Sequence, residues 1–281
     1  MIHSIAVLGA GIMGHGIAHA AMTAGFDTRL FDVSEKALAL ARTQIESIGR
    51  VGVERGKVTS SEVTDTMERL TLCQDIASAV DGVGLVIEAV PEQMDLKLVL
   101  LNDLEQLAPQ QAIIASNTSA LSLTEMSAAL SNPGRAVGMH FFNPVHKMKL
   151  VEIVRTSDTT SETVQTIEEV GRRMGKETVV IRESPGFVTS RINATIGNEA
   201  FFMLQEGVAS ARDIDKALKL GLNHPMGPFE LVDLVGLDTR LSVLKFLHLT
   251  LGEKYRPCPL LEEYVQAGRL GKKVGKGVYE Y

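Results

Sequence analysis

Ile5-Ala6-Val7-Leu8-Gly9-Ala10-Gly11-Ile12-Met13-Gly14, running on into His15 to Ala24, is the stretch whose reading decides the fold. An apolar run reads as a strand, glycines in the spacing G-x-G-x-x-G follow it, and the next residues read as a helix. Glycines there permit a tight turn, let backbone N–H groups approach a pyrophosphate and let strand and helix pack closely, while the helix N-terminus adds partial positive charge. Gly9, Gly11, Ile12, Met13 and Gly14 are therefore candidate cofactor-binding residues. Asp32 ends the second strand, 23 residues past Gly9, where a carboxylate accepts hydrogen bonds from an adenosine ribose. Helix capping competes for the same residue, since Asp32 and Glu35 have capping-box spacing and Ser34 is a second cap candidate. No arginine directly follows Asp32, so a 2′-phosphate would meet repulsion without a partner, and NAD is expected rather than NADP.

Outward from this turn, short apolar runs alternate with amphipathic stretches as far as about Arg182, the pattern of a parallel sheet covered by helices. Strands are expected at Ile5–Leu8, Thr28–Phe31, Val83–Ile87, Ala112–Ala115 and Ala136–Met139, then at Leu150–Val154 and Glu177–Ile181. The charged stretch Ser34 to Leu70 is too long for one crossover helix and predicts two. Ser184-Pro185-Gly186 breaks the pattern, and the domain boundary is placed there. Beyond it Val188, Ile192, Ile196, Ala200 and Met203 form an apolar stripe at helical spacing. The expected architecture is α/β: a Rossmann-type doubly wound sheet with a helical insertion over residues 1–183, followed by a smaller all-α domain over 184–281.

Composition narrows the partners. The 281 residues carry a formal net charge of −6 and include 45% hydrophobic residues, an ordinary globular balance that argues against a broad nucleic-acid footprint. Cys73 and Cys258 are far apart and fit neither a disulfide framework nor a metal-ligand spacing, so no metal is expected and a reducing compartment fits best. The N-terminus lacks a basic stretch before an apolar core, and no apolar run reaches the ~18 residues of a membrane span. A cytoplasmic protein acting on a small molecule, away from membranes, is the expectation.

Three polar groups fall at the carboxyl ends of predicted strands, where open α/β sheets bind ligands: Glu88 to Glu92, Asn117-Thr118-Ser119, and His140 to Asn143. His140 ends an apolar strand before Phe141 and Phe142, a position equally suited to a core histidine. In Leu150-Val151-Glu152-Ile153-Val154, alternation puts Glu152 on the face of Leu150 and Val154, where a carboxylate needs a partner unless it is a solvated strand-edge residue. If the chain doubles back about His146, position 140 faces position 152 and the two side chains pair as an acid/base unit.

The sequence resembles the 3-hydroxyacyl-CoA dehydrogenases, especially the bacterial 3-hydroxybutyryl-CoA enzymes, over nearly its whole length. The matching segments are VLGAGIMGHGIA, EAVPEQMDLK, ASNTSALS, GMHFFNPVHKMKLVEIV, ESPGFVTSRIN, HPMGPFELVDLVGLDT and GRLGKKVGKGVYEY. The resemblance implies hydride transfer between NAD and C3 of a short-chain 3-hydroxyacyl-CoA, in fatty-acid or butanoate metabolism. It implies His140 as general base, Glu152 orienting its ring and Ser119 bonding the substrate oxygen. It also implies nicotinamide-side contacts for Glu92, Lys97, Asn143 and Lys273, with Asn117 and Ser119 among the cofactor-binding residues, and a homodimer joined through the helical domain. Where much of the family carries a substrate-bonding asparagine beyond the PGF segment, Pro185-Gly186-Phe187-Val188-Thr189 leads here to Ser190, and Asn193 is the candidate substitute. Arg42, Arg50, Arg55 and Lys57 in the inserted helices are candidates for CoA phosphates, with a merely solvated charged face as the alternative. A β-hydroxyacid dehydrogenase shares the two-domain plan but carries a lysine on the first helix after the boundary, and Val188 to Met203 has none. A non-catalytic NAD-binding protein would have no need of an intact His140 and Glu152.

Overall fold

A computed structural model describes all residues, Met1–Tyr281, as two compact units, Met1–Glu183 and Ser184–Tyr281. The first is built on β1 (Ser4–Leu8), β2 (Asp27–Phe31), β3 (Leu70–Cys73), β4 (Leu85–Glu88), β5 (Ile113–Ser116), β6 (Ala136–Phe141), β7 (Leu150–Arg155) and β8 (Glu177–Arg182). They form one sheet in the order β3-β2-β1-β4-β5-β6-β7-β8, parallel except that β7 runs antiparallel to β6. The order reverses between β1 and β4, which opens a crevice at the carboxyl ends of those strands. Helices on both faces explain the strand composition: Ile5, Ala6, Val7 and Leu8 are all fully buried, as are Leu85, Val86 and Ile87, so these strands read as continuous apolar runs.

α1 (Ile12–Thr23) follows β1 through the glycine turn, and β2 leads into α2 (Glu35–Glu54) and α3 (Ser60–Met67). The latter begins in a capping box, with the Thr59 backbone N–H donating to Glu62 Oε2 at 2.7 Å. The two inserted helices stand where the charged stretch places them, whereas β3 is not legible in the sequence. That strand has only four residues, and its sole fully covered side chain is Cys73, so it carries too little apolar pattern to be seen. The remaining helices of this unit are α4 (Ile76–Val80), α5 (Met94–Leu107), α6 (Leu123–Ser127) and α7 (Ser161–Arg173).

The second unit is helical: α8 (Thr189–Gln205), α9 (Ala211–Gly221), α10 (Pro228–Val235), α11 (Leu237–Leu251) and α12 (Pro259–Gln266). Its core face on α8 keeps only the later part of the stripe expected from the sequence, Ala200 being fully buried and Met203 packed against the core. Val188 and Ile192 are 50% and 57% exposed, whereas Ala194, Gly197 and Phe201 are buried. The correction has a packing reason: Gly197 lies against Val232 and Arg240, where a Cβ would approach Val232 to 3.1 Å, so small residues bring these helices together. Buried Asp233 then folds the C-terminal segment back, accepting from the Val278 N–H at 2.7 Å, the Tyr279 N–H at 2.9 Å and the Tyr281 hydroxyl at 3.0 Å. No helix is long and apolar enough to cross a membrane.

Candidate active site

At the end of β1 the glycines separate by task. Gly9 sits at φ +101°, and a Cβ there would come within 2.7 Å of the Ala89 carbonyl oxygen. A Cβ on Gly14 would collide with the Gly9 carbonyl, while around Gly11 it would meet nothing within 4 Å. Two glycines are thus demanded by the fold, and the third leaves space open at the start of α1. That helix has no side-chain cap and no acidic residue in its first turn, so its N-terminal N–H groups remain available to an anion. Asp32 stands beside the turn: its Oδ2 accepts from the Ala10 N–H at 2.8 Å and its Oδ1 from the Ser34 N–H at 2.9 Å. The cap of α2 is Ser34, whose Oγ accepts from the Ala37 N–H at 3.3 Å, which removes capping as the competing role for Asp32. Open backbone donors at Gly11 beside a carboxylate fit a dinucleotide pyrophosphate and ribose.

Three strands along, β6 and β7 bring a second set together. Their register pairs His140 with Glu152, and His140 Nδ1 lies 2.7 Å from Glu152 Oε2. Both residues are buried, Glu152 completely, and Val151 and Ile153 are covered too, so β7 has no solvated face on which a strand-edge glutamate would lie. The carboxylate places the ring proton on Nδ1 and leaves Nε2 as the acceptor. Ser119 Oγ is 3.1 Å from Nε2. The Phe142 ring lies 4.6 Å from that of His140, centroid to centroid.

Ser119 owes its place to a set of polar side chains only partly visible in the sequence. Glu92 Oε1 accepts from Thr118 Oγ1 at 2.5 Å, the Ser119 N–H at 2.8 Å and the Ala120 N–H at 3.2 Å. Lys97, fully buried, reaches Glu88 Oε1 at 2.6 Å and Glu92 Oε2 at 3.3 Å. The resemblance implies a nicotinamide-side contact for Lys97, but its ammonium lies between two carboxylates, so its reach toward a cofactor passes through Glu92. Removing one partner of the buried Lys97–Glu88 pair costs about 3–5 kcal/mol. Glu88 Oε2 accepts from Ser116 Oγ at 2.6 Å, and Ser116 Oγ in turn accepts from the Thr118 N–H at 3.2 Å. Farther along, Glu183 accepts from the Ser122 hydroxyl at 3.0 Å and the Leu123 N–H at 2.7 Å. Asn117 spends its side-chain oxygen on the Phe141 N–H at 2.9 Å, tying β5 to β6.

The structure therefore brings Glu92, Lys97, Asn117, Ser119, His140 and Glu152 together in one unit, with Asn143 following β6. Ser190, Asn193 and Lys273 belong to the other unit. Ser190 and Asn193 share a face of α8, both half-buried, and Lys273 Nζ is held by both Asp238 oxygens at 2.6 Å. Glu88 and Thr118 fall within the polar groups expected at the strand ends, without an individual role, and Ser116 lies outside them. The available signal was a carboxylate ending an otherwise apolar strand at Glu88.

In the same unit α1, α2 and α3 border a cavity of about 1000 Å³ lined by Arg55, Lys57, His19, His146 and Lys147, among others. Burial, reinforced by His146, Lys176 and His15, lowers the His19 pKa to about 4, so this imidazole is neutral near pH 7.

A doubly wound sheet, an open glycine turn with a carboxylate beside it, and a carboxylate–imidazole–hydroxyl chain at the same strand ends define an NAD-dependent dehydrogenase. Comparison with known proteins gives the family. The profile of the 3-hydroxyacyl-CoA dehydrogenase NAD-binding domain matches residues 4–184 and that of the C-terminal domain matches residues 186–281. The chain belongs to the 3-hydroxyacyl-CoA dehydrogenase family. It is 44% identical to a probable 3-hydroxybutyryl-CoA dehydrogenase of Bacillus subtilis, covering 100% of this chain and 98% of the relative. It is 41% identical to a 3-hydroxybutyryl-CoA dehydrogenase of Bradyrhizobium diazoefficiens, covering 100% and 96%. The crystal structure of the (S)-3-hydroxybutyryl-CoA dehydrogenase of Ralstonia eutropha is similar with a TM-score of 0.97 at 39% identity, covering 100% of this chain and 99% of that one.

Proposed function

We propose that the protein interconverts a short-chain 3-hydroxyacyl-CoA and its 3-oxoacyl-CoA, with 3-hydroxybutyryl-CoA and acetoacetyl-CoA as the working pair. The observation that carries this reading is the chain Glu152 Oε2, His140 Nδ1, His140 Nε2, Ser119 Oγ, with links of 2.7 and 3.1 Å. His140 takes the 3-hydroxyl proton on Nε2, and Glu152 stabilises the imidazolium that results. In the reverse direction the same nitrogen returns the proton. Ser119 donates to the substrate oxygen as its charge develops. Bound NAD supplies the hydride acceptor at nicotinamide C4. Backbone N–H groups at Gly11, Ile12, Met13 and Gly14 would hold its pyrophosphate and Asp32 its adenosine ribose, with Glu92, Asn117, Asn143 and Lys273 toward the nicotinamide half.

Of the four inserted-helix cations considered for CoA, Arg55 and Lys57 line the cavity with His146 and Lys147, which supports contact with the CoA phosphates. Arg42 is instead paired with Glu46 at 3.0 Å and Arg50 with Ser47 Oγ at 3.4 Å, both at the surface. Exposed Leu220, Leu222, Leu234 and Leu249 support a homodimer joined through the helical unit. A cytoplasmic place in fatty-acid or butanoate metabolism suits such an enzyme.

The test is the loss of NADH absorbance with acetoacetyl-CoA, repeated with NADPH and with longer 3-oxoacyl-CoA chains. Turnover that is faster with NADH and falls with chain length is expected. No turnover, or a preference for NADPH, contradicts the proposal.

A further inference from the structure

The reading of Ser119 as substrate-oxygen donor leaves open what holds its hydroxyl in place. Ser119 lies in a segment without regular structure, and a serine side chain on a free loop would sample several rotamers. The segment beneath it is closed by a ring of side chains. Lys97 joins Glu88 to Glu92, Glu92 Oε1 takes Thr118 Oγ1, the Thr118 N–H donates to Ser116 Oγ, and Ser116 Oγ donates to Glu88 Oε2. Glu88, Lys97, Ser116 and Thr118 are all buried. The ring also fixes the backbone of Ser119 through its N–H on Glu92 Oε1 at 2.8 Å.

Burial makes the Glu88, Lys97, Ser116 and Thr118 part of the ring stiff, because a link lost there leaves a polar atom without water to replace its partner, whereas Glu92 is 42% exposed. Its charge arrangement suits the same end, with one ammonium shared between two carboxylates. Neither Ser116 nor Thr118 sends its hydroxyl to His140. Each turns it to a carboxylate of the ring.

We infer that Glu88, Ser116 and Thr118 are positioning residues that act on the reaction through Ser119, setting its Oγ against His140 Nε2 before substrate arrives. The inference rests on the proposed role of Ser119, and its test separates the two. The experiment compares kcat for acetoacetyl-CoA reduction and the Kd for NADH in the parent, in Ser116→Ala, Thr118→Val and Ser119→Ala, and in each ring substitution combined with Ser119→Ala. Both ring substitutions are uncharged and keep side-chain bulk or remove only one oxygen. Ser116→Ala and Thr118→Val should each lower kcat about tenfold, near the upper worth of one oriented hydrogen bond, with NADH affinity within about twofold of the parent. In the Ser119→Ala background each should cost less than about twofold, because residues acting through one group are not additive. Equal losses in both backgrounds would overturn the inference, as would a change in NADH affinity with kcat unmoved, which would assign the ring to Glu92 and the cofactor. If Ser119→Ala itself leaves kcat intact, the proposed role of Ser119 fails instead. Should Ser116→Ala not fold, the same criteria apply to Thr118→Val alone.

Discussion

The imidazole of His140 is approached from two sides that are built in different ways. On one side Glu152 comes from the neighbouring strand, placed by a sheet register in which residues 140 and 152 face each other. On the other, Ser119 comes from a segment with no regular structure, held by side chains from β4, β5 and the start of α5. Backbone pairing fixes the first contact, and any sequence that keeps the register keeps it. The second depends on several polar residues at once, and single substitutions should weaken it by degrees. The lesson is that the Glu152 side of His140 is rigid by topology and the Ser119 side is rigid by chemistry.

The largest effect should come from the residue the two sides share. His140→Gln should lower turnover about 10² to 10⁴-fold, the usual contribution of general acid/base catalysis, with NADH affinity unchanged. Steady-state rates with acetoacetyl-CoA check this, and turnover within threefold of the parent would remove His140 from the chemistry. Ser119→Ala should cost about 10²-fold in kcat, as expected for one donor aimed at a developing charge. A smaller loss than Thr118→Val produces would reverse the order of dependence along that side.

Asp32 probes a region away from both. Its carboxylate meets the Ala10 and Ser34 N–H groups and is the candidate ribose acceptor, so Asp32→Ala should weaken NADH by about tenfold, near the worth of a charged hydrogen bond. NADPH should lose less, since the repulsion of its 2′-phosphate is relieved. Titration by fluorescence checks it, and equal losses for both cofactors would contradict the ribose role.

The smallest effect concerns stability. Because the His19 pKa falls from 6.5 to about 4 on folding, the unfolded chain binds more protons between those values. Its contribution is therefore fully present above about pH 6.5 and is lost progressively as pH falls toward about 4. His146 shifts in the same direction, through burial first and then Lys147, His15 and Lys176. His19→Gln should flatten the fall in Tm between pH 6.5 and 4.5, measured by calorimetry, while an unchanged slope would discount this group.

The same contrast governs what the sequence could reveal. The pairing of His140 with Glu152 was legible because a carboxylate at an inward position of an apolar strand must find a partner, and two strands joined near His146 put one opposite. The glycine turn and Asp32 were legible because local spacing specifies them. Glu88 and Thr118 were legible only as members of polar groups at strand ends, and Ser116 and the ring that joins them were hidden because it closes across three separated segments, where a serine near a strand end reads as an ordinary loop start. The stripe on α8 holds at Ala200 and Met203 and misleads at its start for a related reason. Val188 and Ile192 have the period of a core face, but the close approach of helices at Gly197 selects a different side.

The central claim, that His140 and Glu152 work as one acid/base unit fixed by the sheet, is tested most directly by a double-mutant cycle on kcat. Glu152→Gln removes the counter-charge while keeping the shape, and His140→Gln removes the base. The double variant should be no slower than His140→Gln alone, within about twofold, because an orienting carboxylate has nothing left to orient. Losses that multiply across the two substitutions would contradict it.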